Sequence, residues 1–291
     1  MGLRFSKQTV LWECPWCLTG VIDPMPTKEE LVAAYPADLY YAYSELEKDD
    51  NAHWVDRLRD RLRETAFENH LAPSSVPTWP RRVCAWLCQG RFAGFPRFVQ
   101  HGRLLDVGCG DGYFLWHCQH RGWFVSGVEW NREAVSRART RGLTVWHGDF
   151  MDFPTAPGTF EVIRMWHVVE HVEDPIGVLD RAATLLVPGG ELIVGVPNAR
   201  ALHRWIWGTR WSGWDLPRHL HHFSARGVRL ALERTGFDVR VIAYCSVGTG
   251  LASAGVRLAT SWVARGASVL SDAILDAARL GDALGIHAIK R

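Results

Sequence analysis

From residue 101 onward the chain switches repeatedly between two apolar patterns. Short, nearly unbroken apolar runs at 103–107, 123–128, 143–147, 160–166, 191–196 and 237–243 read as strands buried on both faces. Between them, apolar residues recur at helical spacing. These stretches run from Tyr113 to near Gly122, Arg132 to about Arg141, Pro175 to about Leu186, and Ser224 to Thr235. Asp174 and Pro175 supply an N-cap and first-turn proline, and Gly142 supplies a C-terminal stop. Pro188-Gly189-Gly190 reads as the turn into the fifth strand, and 283–289 as a last strand. Strands alternating with helices predict a doubly wound, mostly parallel α/β sheet.

The first hundred residues follow other patterns. Thr27 with Glu30 three positions on predicts a capping box and a helix start. Residues 52–71 read as a charged helix with a Trp54, Leu58, Leu62, Phe67 stripe, 73–80 as a linker, and 81–99 as a second helical segment. The organisation expected is an appendage over 1–44, a helical cover over 45–100 and the α/β domain over 101–291. Within that domain, 199–223 interrupts the alternation and reads as a substrate loop, and 251–280 as a helical lid or dimer helix.

The chemistry centres on Leu104-Leu105-Asp106-Val107-Gly108-Cys109-Gly110-Asp111-Gly112, a strand running into a glycine turn and then a helix. The glycines allow a sharp turn and leave no Cβ between backbone and ligand. The spacing is Gly-x-Gly-x-Gly, with Tyr113 where a dinucleotide fingerprint requires its third glycine, so a nicotinamide-dinucleotide oxidoreductase is disfavoured. Asp106 and Asp111 would repel a pyrophosphate. They suit a ligand carrying an ammonium and a sulfonium, which is S-adenosylmethionine. Glu129 ends the second strand 19 residues after Gly110 (129 − 110), where a carboxylate can accept both ribose hydroxyls. Asp149 and Phe150, after the third strand, are placed to hold the adenine.

The fourth strand runs into His167-Val168-Val169-Glu170-His171, which crowds three ionisable residues where open α/β sheets place their chemistry. The 199–223 stretch adds Trp205, Trp207, Trp211, Trp214, Asp215, Arg218, His219, His221 and His222.

Composition narrows the class. With 291 residues, 47% hydrophobic and 22% charged, the chain can bury a sizeable core. A net charge of +2 with scattered arginines gives no basic stripe for nucleic acid, and no uncharged run has the length and hydropathy of a membrane span. Seven cysteines without regular spacing and an N-terminus without an apolar signal core point to a reducing, cytoplasmic setting. Cys14-Pro15-Trp16-Cys17 forms one C-x2-C knuckle without the second pair that zinc requires nearby; two reduced cysteines in a turn are favoured over a half-site.

Six ordered motifs carry a resemblance: LLDVGCGDGYFL, GVEWNREAV, HGDF, MWHVVEHVEDP, PGGELIVGVPN and WDLPRHLHHFS. Residues 103–240 resemble class I S-adenosylmethionine-dependent methyltransferases, in the bacterial group related to ubiquinone-biosynthesis O-methyltransferases and sugar methyltransferases. The resemblance implies a Rossmann-like seven-stranded sheet with an antiparallel last strand. It implies cofactor contacts from Asp106, Gly108, Gly110, Glu129, Asp149 and Phe150, to which we add Trp130 and Trp166. It also implies that the appendage is a degenerate zinc ribbon. Some quinone O-methyltransferases bind a divalent metal through Glu-x-x-Glu-His; here the pattern is His167-x-x-Glu170-His171, so no metal ligand is assigned.

The function expected is SN2-like methyl transfer to a small sugar-like or phenolic acceptor. The competing readings are a catalytically silent binding module and the dinucleotide oxidoreductase. His167 is the expected base, with His171 and His219 in reserve, because imidazole titrates near neutral pH. Glu170, Trp214 and Arg218 are the expected acceptor contacts. The acceptor is the only partner assigned, and a homodimer is left open.

Overall fold

The computed structural model of the chain describes residues 2–4, 9–35, 94–96, 101–246 and 274–291. The expected helix at 52–71 and most of the 81–99 and 251–280 segments lie outside the described residues.

Three N-terminal strands, β1 (Gly2–Arg4), β2 (Val10–Glu13) and β3 (Gly20–Asp23), form an antiparallel meander, followed by helix α1 (Lys28–Ala33). The predicted capping box is present. The Glu30 amide donates to Thr27 Oγ1 at 3.2 Å and the Thr27 amide to Glu30 Oε2 at 2.8 Å. The α/β unit then runs β4 (Arg103–Val107), α2 (Tyr113–Gln119), β5 (Phe124–Glu129), α3 (Arg132–Thr140), β6 (Val145–His147), β7 (Phe160–Trp166), α4 (Pro175–Leu185) and β8 (Leu186–Pro197). After it come α5 (Leu202–Trp207), β9 (His221–His222), α6 (Ala225–Arg234), β10 (Phe237–Cys245) and β11 (Ala283–Lys290).

The large sheet has the order β10-β11-β8-β7-β4-β5-β6. From β8 to β6 all neighbours are parallel, and β11 is antiparallel to both β8 and β10, as expected for the last strand. Alternate residues of β4 feed two cores. Leu105 and Val107 pack under α4 and α6 with Leu179, Leu185, Val228 and Leu232, while Leu104 faces α2 and α3 with Leu115, Cys118, Val135 and Ala138. The chain leaves β4 toward β5 on one side and reaches β7 on the other. The carboxyl ends of β4 and β7 therefore flank the switch point, where such sheets open a crevice.

Two local expectations change. Pro188-Gly189-Gly190 is not a turn ahead of the strand but lies inside β8. Pairing skips from Phe160↔Leu186 to Val162↔Glu191, so the intervening residues bulge, with Gly189 at φ +73°. The 199–223 stretch is not a free loop over the sheet. His221 and His222 form β9, which pairs with Val21 and Gly20 of β3, and Leu11 and Ile22 share a core with Trp211, Trp214 and Leu220. Ser224 Oγ donates to Cys17 O at 2.5 Å, and Arg204 donates to Glu13 Oε2 at 3.1 Å. The N-terminal strands are thereby sewn to the α/β unit. Cys14 and Cys17 stand in the β2–β3 turn as free cysteines.

Candidate active site

The glycine loop leaves β4 with Gly108, Gly110 and Gly112 at φ +68°, +56° and +78°, conformations that side chains rarely adopt. Its three glycines differ in what surrounds them. A Cβ at Gly112 would stand 2.3 Å from Leu143 Cδ1 and 3.0 Å from Ala138 Cβ, so this glycine lets α2 close onto α3. A Cβ at Gly108 would stand 2.8 Å from Val168 Cγ2, which brings the loop after β4 against the segment after β7.

Glu129 closes the cradle from β5. Its Oε2 accepts from the Gly110 amide and its Oε1 from the Asn131 amide, both at 2.9 Å. Burial raises its pKa, and the amides of Asn131, Gly110 and Trp130 oppose that shift. Each carboxylate oxygen has a further lone pair, so the group can still accept from ribose hydroxyls. Asp149 uses Oδ1 to cap the short turn Phe150–Asp152, accepting from the Met151 amide at 2.8 Å. Phe150 itself is buried in the core. Trp130 is exposed beside the cradle, its ring edge-on to Tyr35 at 5.4 Å. Trp166 packs where a Cβ on Gly195 would fall, 2.4 Å from its ring.

The two loop aspartates are not arranged as expected. Asp106 Oδ1 accepts from Arg164 Nη1 at 2.9 Å, and Arg164 also donates to Gly94 O and stacks 4.1 Å over Phe114. Burial drives the Asp106 pKa upward, with Arg164 opposing. Asp111 accepts from Arg141 at 2.9 Å and from the Tyr113 amide. Both carboxylates are thus held by protein partners rather than turned to a ligand's cation. Arg164 was a missed signal. It is a charge inside an otherwise apolar central strand, and it lies directly opposite Asp106 in the β4–β7 register.

Across the crevice, His167 follows β7 with φ +57°, a strained value for a residue with a side chain. Its amide donates to Gly195 O at 2.9 Å, and its Nδ1 lies 2.9 Å from Glu170 Oε1. The His167 side chain is 42% exposed while that of Glu170 is fully buried. The ring therefore faces the crevice with its inner nitrogen pinned. Burial alone would raise the Glu170 pKa, but the His167 hydrogen bond and the neighbouring imidazoles outweigh it and hold the carboxyl down to about 2.

His171 is placed beneath this pair. Its Nδ1 lies 3.1 Å from Arg218 O and 2.8 Å from the hydroxyl of Tyr35, and burial lowers its pKa to about 4. His219 stacks edge-on against it at 4.7 Å. Arg218 pairs with Asp215 and lies 5.8 Å over the Tyr35 ring. Trp214, expected to touch the acceptor, is instead a core residue at 3% exposure, its Nε1 donating to Gly208 O. The structure thus brings together Gly108, Gly110 and Glu129 on one side and His167, Glu170, His171, Arg218 and His219 on the other, with Tyr35 added.

A methyltransferase-domain family model matches residues 50–241, more than half of the chain. The chain belongs to that family, and its class is the Rossmann-like S-adenosylmethionine-dependent methyltransferases. It is 30% identical over 133 residues to a ubiquinone biosynthesis O-methyltransferase of Ralstonia nicotianae, covering 42% of this chain and 55% of that protein. The match thus spans about half the length of this curated relative. A probable S-adenosylmethionine-dependent methyltransferase of Mycolicibacterium smegmatis is 25% identical over 74% of this chain and 86% of its own length. Among solved structures, a possible histamine N-methyltransferase from Thermotoga maritima superposes with a TM-score of 0.51 at 17% identity, covering 81% of this chain and 97% of its own. That likeness establishes the fold. The dinucleotide oxidoreductase reading is set aside. Among the described residues, no helix is long and apolar enough to cross a membrane.

Proposed function

We propose that this chain transfers the methyl group of S-adenosylmethionine to a hydroxyl of a small sugar-like or phenolic acceptor, with His167 as the base. One observation carries the reading: His167 stands at the carboxyl end of β7, half exposed, with Nδ1 held 2.9 Å from the buried Glu170 carboxylate. The O-methyltransferase name of the Ralstonia nicotianae relative favours an oxygen acceptor.

The bound cofactor supplies a methyl carbon already activated by its sulfonium. The residues present suit it, because Gly108 and Gly110 hold the loop in positive-φ conformations that side chains rarely adopt and Glu129 keeps lone pairs free. Glu129 accepts the ribose hydroxyls, and Asp149 and Trp130 flank the base. Asp106, held by Arg164, acts on the loop electrostatically and not by direct pairing. His167 donates from Nδ1 to Glu170, which leaves the Nε2 lone pair to take the acceptor's proton as the oxygen attacks. The Glu170 carboxylate then stabilises the imidazolium that forms. A positioned base of this kind contributes roughly 10²–10⁴-fold.

His167→Ala is therefore expected to lower kcat by about 10²–10⁴-fold while leaving the calorimetric affinity for S-adenosylmethionine nearly unchanged. Turnover is read with a panel of sugar and phenolic acceptors. Undiminished turnover in the variant removes His167 from the mechanism. Cofactor binding without turnover on any acceptor favours the silent binding module.

A further inference from the structure

Behind His167 lies a cluster of which the methyl-transfer reading uses only Glu170. One possible ligand atom from each of Glu170, His171 and His219 lies within 4.8 Å of the others. The three are brought together by backbone pairing. The amides of Leu220 and His221 both donate to Glu170 O, at 2.8 and 3.1 Å, which clips the segment bearing His219 against the turn after β7.

The hydrogen-bond roles make the cluster unusual. His171 Nδ1 faces Arg218 O and His219 Nδ1 faces Gly213 O at 3.0 Å. A carbonyl oxygen only accepts, so His219 Nδ1 carries the ring proton and its Nε2 keeps the lone pair; His171 Nδ1 also meets the Tyr35 hydroxyl at 2.8 Å, and in the tautomer that donates to Arg218 O its Nε2 is likewise an acceptor. Glu170 Oε2 is buried with no hydrogen-bond partner among the described residues. A second carboxylate oxygen, Asp215 Oδ2, is likewise buried and unbonded, 3.6 Å from His219 Nε2. Two buried carboxylate oxygens thus stand beside the imidazoles with no hydrogen bond of their own among the described residues. Leaving such groups buried and unpaired is unfavourable, and more so for a charged one. A cation satisfies all of them at once.

We propose that Glu170, His171 and His219 bind one divalent metal ion of the zinc type, with Asp215 at its rim. Two imidazoles and a carboxylate match zinc, whereas magnesium prefers an all-oxygen set. Imidazole ligands commonly have the other ring nitrogen donating to a carbonyl or carboxylate, as His219 does to Gly213 O; His171 Nδ1 has Arg218 O within reach for the same bond. The ligand set differs from the Glu-x-x-Glu-His pattern. Position 167 is not a ligand, since His167 Nδ1 is turned to Glu170 Oε1, and the third ligand comes from His219, 48 residues beyond His171 (219 − 171). The ion would staple the 199–223 segment to the end of β7, and Glu170 would bridge it to His167. This proposal stands whether or not the acceptor is a hydroxyl.

The test uses the full chain, stripped with chelator, reloaded with zinc and desalted. Elemental analysis is expected to return about one ion per chain, with a higher Tm than the stripped protein, since a ligand that binds only the folded state stabilises it. His219→Ala and Glu170→Gln should lose the ion, while Cys14→Ser with Cys17→Ser should keep it. Cobalt in place of zinc gives a readout on the unmutated chain: visible d–d bands without a thiolate charge-transfer band. No ion retained, an ion lost with the two cysteines, or a thiolate band in the cobalt form would each overturn the proposal.

Discussion

The approach of the glycine loop to the segment after β7 can be tested at Gly108. Gly108→Ala places a methyl 2.8 Å from Val168 Cγ2 at a residue with φ +68°. The left-handed backbone costs alanine about 1–2 kcal/mol. Forcing a methyl into that contact adds about 1–3 kcal/mol of overpacking strain. The variant should therefore lose about 2–5 kcal/mol in chemical denaturation. Val168→Ala removes the group that is struck but not the backbone strain. The double variant should then be more stable than the sum of the single losses by about 1–3 kcal/mol, the overpacking share. Additivity within about 0.5 kcal/mol would refute the contact, and with it the packing that sets His167 beside the loop.

Three further outcomes follow from other parts of the molecule. Glu129→Ala removes a carboxylate that holds two amides and keeps lone pairs for the ribose; at about 1.5–3 kcal/mol for a charged hydrogen bond, calorimetry should show cofactor affinity down by roughly 10–150-fold. Trp214→Ala should destabilise by about 3–5 kcal/mol as a core truncation, measured by denaturation; a normal stability with a raised acceptor KM would restore Trp214 to the acceptor site. His222 is 2% exposed, and burial, then His219 and Arg204, hold its pKa down to about 3. The unfolded chain binds that proton below the ordinary value of 6.5 and the folded chain does not, so this contribution is full above pH 6.5 and is lost as pH falls toward 3. Between pH 6.5 and 5 the loss should be about 1.6 kcal/mol, and His222→Phe should lose correspondingly less; equal losses for the two proteins in denaturation titrations at these pH values would contradict this.

The parallel strands, the glycine loop and the chain-end strand were legible because continuous apolar runs and helical spacing are local signals. So was the α1 capping box, whose two hydrogen bonds join residues three apart. Pairings across the sheet were not. Asp106 looked available for a cationic ligand because its neighbour in space, Arg164, is 58 residues away. Asp111 is likewise held from α3's end by Arg141. The tryptophans of 199–223 resembled a binding surface, yet Trp211 and Trp214 are buried because β2 and β3 cover them, and no periodicity within 199–223 records that cover. His221 and His222 read as loop because a two-residue strand exists only through its partner, β3. Glu170 was expected to touch the acceptor; its full burial and unbonded Oε2 appear only once His219 is folded against it.

The central claim is that the loop after β4 and the acids ending β5 and following β6 cradle S-adenosylmethionine with its methyl toward His167. Calorimetric titration of the folded chain with S-adenosylmethionine and its demethylated product tests it most directly. The account predicts one saturable site per chain for each, weakened by Glu129→Ala and unaltered by His167→Ala. A folded protein that gives no binding heat with either nucleoside at any temperature tried, and no shift in Tm, would contradict it.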